Sequence, residues 1–256
     1  VEVGSGTGYA DRVRHSLRRV GVTGVCSSAP GRHLHRVGVI SEIQVMGLVD
    51  DSFLVSYLVL LGYTGITAIE ALRTPNVNVR HVMNIETSVS IVASLVYGFF
   101  YEQVKTGKYD LKTFTHLRYL DWMITTPLII LGLLLFYNQK LASIPWETYA
   151  AIVGLDWAML YAGFLGEQGT IPRMTGFLAG FAALFAVFYL MYTKTMPKGS
   201  NPTAFFIFAF LWSMYGVAYM QDEETKNISY NILDVNSKAL FGIGLWMYFG
   251  KVLKFE

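Results

Sequence analysis

Charge is scarce in this chain. Of its 256 residues only 15% are Asp, Glu, Lys or Arg, against about a quarter in an ordinary soluble domain. That shortage argues against a water-soluble fold. Cysteine is all but missing: Cys26 stands alone, which excludes an intrachain disulfide and a cysteine-based metal set. Net charge is nearly absent too. The formal value of +2 is too small a surplus to point to nucleic acid.

What is abundant fits these absences. Hydrophobic residues make up 53% of the chain, with 17 Phe, 16 Tyr and 5 Trp, and mean hydropathy is +0.41. So many aromatic rings suit the interfacial belt of a membrane protein, a flat apolar ligand, or both.

Residues 1–45 stand apart from the rest. Arg12, Arg14, Arg18, Arg19, Arg32 and Arg36, with His15, His33 and His35, lie among Gly, Ser and Val. The stretch has no apolar run, so it reads as neither a spanning helix nor a signal peptide. It is expected to be a basic, poorly ordered extension, with a short amphipathic segment on the membrane as the alternative. His33 and His35 lack a third ligand, and no metal site is expected. Residues 46–256 form the expected membrane domain. Seven apolar stretches approach the roughly 20 residues that cross a bilayer: 48–72, 84–104, 115–137, 147–166, 173–195, 202–221 and 229–253. Basic residues favour one set of connections, at Arg73, Arg80, Lys140, Lys194, Lys198, Lys251 and Lys254. The positive-inside rule then puts the N-terminus outside and the C-terminus in the cytoplasm. The basic extension on the outside runs against that rule.

Two charged groups sit where charge is expensive. In the seventh stretch, Lys238 follows Asp234 by four residues, which places both on one helix face. An ionisable residue at that depth costs about 2.5–3.5 kcal/mol on insertion and marks a candidate site. Taken alone, the pair reads equally as a structural ion pair or as a lysine carrying a Schiff base with an aspartate counter-ion. In the third stretch, Arg118, Asp121 and Thr125 share a face at i, i+3 and i+7, which suggests a proton or ion path. Pro127 breaks that helix's bonding and frees a carbonyl.

The run Arg118-Tyr-Leu-Asp-Trp-Met-Ile-Thr-Thr-Pro127, with Leu233-Asp-Val-Asn-Ser-Lys238, resembles the third and seventh helices of microbial (type 1) rhodopsins. The resemblance covers about residues 48–253 and leaves the extension aside. It implies an all-α membrane protein, a seven-transmembrane helix bundle around a retinal, and not an enzyme. It further implies that Lys238 holds all-trans retinal as a protonated Schiff base. Asp121 and Asp234 would be its counter-ions, with Asp121 the proton acceptor, and Arg118 would separate the Schiff base from the outer exit. Trp122, Thr126, Ile129, Met159, Gly163, Phe177 and Gly180 would lie along the retinal, Ile129 as a tuning position, with Asp156 near its ring. Trp212 and Tyr215 match the family's pocket pair, and Tyr219 takes the place of a ring-clamping tryptophan. The lipid bilayer, protons or small cations, and a trimeric or pentameric homo-oligomer are the implied partners.

Departures from the family pattern carry information as well. Gly216 stands where many members have proline. Gly132, eleven residues after Asp121, stands where outward pumps have the carboxylate that reprotonates the Schiff base. Glu86 in the second stretch falls near the level of Gly132 and is the substitute donor; the alternative is a silent carboxyl bonded to polar neighbours such as Asn236. Glu70 with Arg80 forms a candidate pair at the inner mouth, and Glu223 with Glu224 a candidate release pair outside. The stretches Ile69–Arg73 and Arg80–Thr87 also resemble rhodopsins of large algal viruses and protists, a group with both pumps and channels. The leading expectation is a light-driven outward proton pump. The alternative is a light-gated cation channel with Glu86, Asn236 and Glu70 as its gate. A photosensor is expected least, because it needs a signalling domain or partner and little follows the seventh stretch. Chloride pumping is disfavoured by Asp121, and sodium pumping by Thr125 and Gly132.

Overall fold

The computed structural model describes residues 31–107 and 109–249, with side chains from residue 47 to residue 248. Most of the basic extension, Lys108, Lys251 and Lys254 lie outside the described residues, as do the side chains of His33 and His35. The described residues form seven long helices, one short 3-10 turn (Leu141–Ser143) and no strand. The long helices are α1 (Gly31–Arg73), α2 (Val77–Lys105), α3 (Leu111–Asn138), α4 (Trp146–Glu167), α5 (Arg173–Leu190, extended by a π-helical turn Met191–Thr195), α6 (Thr203–Tyr219) and α7. The last is in three pieces, Glu223–Asp234, a π-helical stretch Val235–Leu240, and Phe241–Phe249. Each of the seven expected stretches falls on one of these helices, the seventh as far as Phe249. α1 starts inside the segment assigned to the extension.

Local chemistry sets the helix ends. Asn76 caps α2 by accepting from the backbone N–H of Asn78 at 2.9 Å. Asp110 does the same for α3, accepting from Lys112 N–H at 3.0 Å, and Asp222 for α7, accepting from Thr225 N–H at 3.0 Å. That last bond also holds the Asp222 carboxyl below the usual carboxylate range. Helices α4, α5 and α6 each begin just after a proline, Pro145, Pro172 and Pro202, whose fixed φ and missing N–H suit a helix start. The caps explain why α2 and α7 start several residues before their expected spans: their first turns are polar, so hydropathy alone passes over them.

The helices pack in a closed ring in chain order, with α7 returning to α1. α3 is the most buried of the long apolar helices. Among the described residues, five helices carry an apolar stretch long enough to cross a bilayer, α1 over Gly47–Arg73 and α2 to α5, and α6 is a 17-residue apolar helix. The outer surface carries Leu72, Leu95, Phe185, Tyr189 and Phe210, all more than half exposed, as a lipid-facing wall requires. The side of the bundle where the Gly47–Arg73 span begins is called here the N-terminal end, and the side where α7 finishes the C-terminal end.

Pro127 removes the N–H that Met123 carbonyl would have received within α3. Trp157 on α4 supplies the replacement: its Nε1 donates to Met123 O at 3.0 Å. Tyr149, also on α4, donates to the Pro127 carbonyl at 3.0 Å. The proline irregularity is thus stitched to the neighbouring helix.

Candidate functional site: a buried lysine between two carboxylates

Lys238 lies in the π-helical stretch of α7, a distortion common at functional sites. Its Nζ donates to Asp121 Oδ2 on α3 at 2.5 Å and lies 3.3 Å from Asp234 Oδ2, one turn back on its own helix. All three side chains are at most 1% exposed. Arg118 Nη1 is 3.8 Å from Asp234 Oδ2, so two cations face two carboxylates. Such pairing is what makes buried charge tolerable.

The two carboxylates are treated differently. Asp234 accepts from Tyr97 Oη at 2.9 Å, Tyr215 Oη at 2.6 Å and Trp122 Nε1 at 3.2 Å, donors fixed on three other helices. Asp121 has Lys238 on Oδ2, while its Oδ1 is buried without a hydrogen-bond partner. Thr125 does not touch the carboxylate; its hydroxyl donates to the Asp121 backbone carbonyl at 2.9 Å.

On the N-terminal side, Arg118 donates to Tyr97 Oη at 2.9 Å, Asn231 Oδ1 at 2.9 Å and Asn227 Oδ1 at 3.2 Å. Its guanidinium also sits 5.3–5.8 Å from the ring centres of Phe53, Tyr97, Phe100 and Tyr230, a cage that favours a cation. Asn231 passes the network to α1 through Ser52 Oγ at 2.8 Å. The sequence reading missed Asn227 and Asn231. Their spacing with Asp234, i, i+4 and i+7, marked a polar stripe on α7 that would have found them.

An apolar cavity runs from Lys238 toward α4, α5 and α6. From α3 it is lined by Trp122, Thr126 and Ile129, and from α4 by Met159 and Gly163. α5 contributes Phe177 and Gly180, and α6 contributes Trp212, Tyr215 and Tyr219. Every residue expected to line a retinal is therefore on its wall. Asp156 sits beside it, accepting from Thr126 Oγ1 at 2.6 Å. The residues present fit a retinal: a buried amine lies at one end of a slot walled by flat rings. Gly163 also lets Tyr119 pack closely in the wall, since a Cβ there would come within 2.8 Å of Tyr119 Oη.

On the C-terminal side, Glu86 is 3% exposed and faces Gly132, where an added Cβ would lie 3.5 Å from Glu86 Oε1. Its hydrogen-bond partner is Tyr63, whose Oη donates to Glu86 Oε2 at 3.1 Å. The expected partner Asn236 instead donates to the Ile232 carbonyl at 2.7 Å, closing a bond within its own helix. The expected pairing of Glu70 with Arg80 is likewise corrected. Arg80 Nη2 donates to the Thr74 carbonyl at 3.0 Å, because the end of α1 offers carbonyls without helical partners.

At the N-terminal end, the expected Glu223–Glu224 pair gives way to a different cluster. Lys226 is 2% exposed and donates to Glu167 Oε2 at 2.7 Å and Glu223 Oε1 at 2.8 Å. Glu224 stays exposed. Lys226 lies in the first turn of α7 and is buried there. Arg173 stacks 5.2 Å over Tyr219 and donates to the Tyr219 carbonyl.

A seven-helix membrane bundle with an interior lysine, two carboxylate partners and an apolar slot defines a class of retinal-binding proteins. The chain belongs to the bacteriorhodopsin-like protein family, whose sequence profile matches residues 49–252; it is a microbial rhodopsin, and membership implies a retinal chromophore. The crystal structure of viral rhodopsin OLPVRII is similar to it at 35% identity and a TM-score of 0.76, over 81% of this chain and 100% of that one. The opsin-like protein carO of Fusarium fujikuroi is 30% identical over 147 residues, 50% of this chain and 46% of the relative. The blue-light absorbing proteorhodopsin of Gamma-proteobacterium Hot 75m4 is 27% identical over 151 residues, 52% of this chain and 60% of the relative. The chain thus spans about half the length of the curated relatives it matches.

Proposed function

We propose that the protein is a light-driven outward proton pump, with all-trans retinal held on Lys238 as a protonated Schiff base and the N-terminal end of the bundle facing outward. Retinal bound there supplies light absorption and an isomerisation that changes the proton affinity of the Lys238 nitrogen. The residues do the rest. Lys238 Nζ gives its proton to Asp121 Oδ2, already at hydrogen-bond distance, 2.5 Å. Asp121 is the acceptor because Asp234 has both oxygens engaged by Tyr97, Tyr215 and Trp122. Arg118, tied to Asn227 and Asn231, separates this exchange from the outer end, and the proton leaves past it. Lys238 Nζ then recovers a proton from the inner side, through Glu86, the carboxyl that faces Gly132.

The observation that carries this reading is the asymmetry of the two aspartates around one lysine. The channel reading needs Glu86, Asn236 and Glu70 as a common gate, and the bonds of Asn236 do not favour it. Photocurrents recorded while the membrane voltage is stepped decide between them. A current that stays outward at every voltage is expected; one that reverses with the cation gradient sinks the pump. Lys238→Ala is expected to leave the protein colourless, and a coloured variant without added amine overturns the linkage. A trimeric or pentameric assembly in the bilayer belongs to the same proposal.

A further inference from the structure

We propose that Tyr63 is the positioning residue for Glu86, and that Gly132 and Gly242 form the slot in which it holds the carboxyl. The proposal rests on the reading of Glu86 as the inner proton carrier. Three helices converge on this carboxyl. Tyr63 on α1 donates to Glu86 Oε2 at 3.1 Å, and both side chains are 3% exposed. Gly132 on α3 faces the other oxygen, Oε1: a Cβ there would rest against it at 3.5 Å, an ordinary contact. Gly242 on α7 closes the slot: a Cβ there would overlap Tyr63 Oη and come within 2.6 Å of Glu86 Oε2. Phenol and carboxyl therefore lie directly against the α7 backbone, in space that a methyl group would fill.

The position along α7 gives this slot its meaning. Gly242 follows Lys238 by four residues, as Lys238 follows Asp234 by four. One α-helical turn rises about 5.4 Å. The Glu86 carboxyl is thus held against α7 one turn beyond Lys238, on the side opposite Asp234. A buried carboxyl with no partner would choose among rotamers and bear the full penalty of an unmet polar group. One bond from Tyr63 fixes its orientation toward α7, and positioning of this kind governs transfer rates. Other polar groups nearby are otherwise engaged. Ser90 donates to the Glu86 and Thr87 carbonyls at 2.8 and 3.1 Å, and Thr67 to the Tyr63 carbonyl at 3.1 Å.

The test uses the full chain with retinal bound in lipid. Glu86→Gln identifies the infrared band of the Glu86 side chain as the band it deletes, and it is expected to slow the late reprotonation of Lys238. Tyr63→Phe keeps the ring volume and removes the donor. It is expected to shift the Glu86 band and to slow reprotonation roughly threefold to tenfold, the worth of one hydrogen bond, with the absorption maximum unchanged. Gly242→Ala, which disturbs the same contact without touching a titratable group, is expected to shift the same band. If Glu86→Gln is slow but Tyr63→Phe leaves either the band or the rate unchanged, the positioning role is overturned and the carrier reading survives. If Glu86→Gln leaves the rate unchanged, the carrier reading falls and takes this proposal with it.

Discussion

Asp121 and Asp234 face the same lysine nitrogen at 2.5 and 3.3 Å, yet only Asp121 keeps a buried oxygen without a partner. Removing either charge should therefore have different effects. Asp121→Asn is expected to slow loss of the Lys238 proton by about a hundredfold or more, the usual loss when a positioned base is removed, while the folded bundle survives. Asp234→Asn leaves Arg118 with no carboxylate and disturbs three fixed donors. Breaking such a buried pair costs about 3–5 kcal/mol, so it should show first as a low chromophore yield and early thermal bleaching. Flash spectroscopy and bleaching temperature separate the two. Equal kinetic effects with equal stability would refute the asymmetry.

Much of this site was legible because its spacing is local. Asp234 and Lys238 share one helix, as do Arg118, Asp121 and Thr125, and a helix face follows directly from residue number. Partners that meet across the bundle left no such trace. Tyr63 and Glu86 are on different helices, and nothing in either stretch sets their rotation about the helix axes. Asn236 was the nearer guess because it lies in the polar run next to Lys238, but it bonds backward within its own helix. Lys226 was hidden for another reason. A lysine flanked by Asp222, Glu223 and Glu224 looks solvated, and only the inward face of the α7 start buries it.

The bond from Trp157 to the Met123 carbonyl at 3.0 Å compensates for the N–H missing at Pro127. The Trp157 ring is about half exposed, 49%, on a surface where lipid cannot replace a lost donor. Trp157→Phe is expected to destabilise the bundle by roughly 1–3 kcal/mol, the cost of an unmet carbonyl. In a Pro127→Ala background the helix supplies its own donor, and Trp157→Phe should become nearly neutral. A double-mutant cycle on bleaching temperature measures this. Additive effects would mean that the indole does not serve the proline site.

Lys226 braces α4 to α7 through Glu167 and Glu223. Lys226→Met leaves two carboxylates facing each other without their cation and should cost about 3–5 kcal/mol. Adding Glu167→Gln removes one of the opposed charges and should recover part of that loss. Because Lys226 and Glu167 are buried, raising the salt concentration should leave the unaltered protein's bleaching temperature nearly unchanged, whereas an exposed pair would weaken. A Lys226→Met variant as stable as its parent would show that the brace contributes nothing.

Gly216 and Phe181 form the last pair that the sequence could not supply. The resemblance marks Gly216 as a missing proline. The structure gives the glycine a packing role: a Cβ there would fall 2.6 Å from Phe181 Cζ, so the ring packs against the α6 backbone. Both residues also line the apolar cavity. Gly216→Ala should then push the Phe181 ring aside, at a cost of about 1–3 kcal/mol for overpacking, and displace the absorption maximum because the displaced ring shares the cavity wall. Phe181→Leu shortens that side chain and leaves a partial void. Combined, the two changes fill each other's defect, and the double variant should be more stable than the sum of the single losses predicts. Bleaching temperature and absorption maximum across the four proteins check this. If the double variant loses the full sum, the ring does not need the glycine and the close approach of α5 to α6 has another cause.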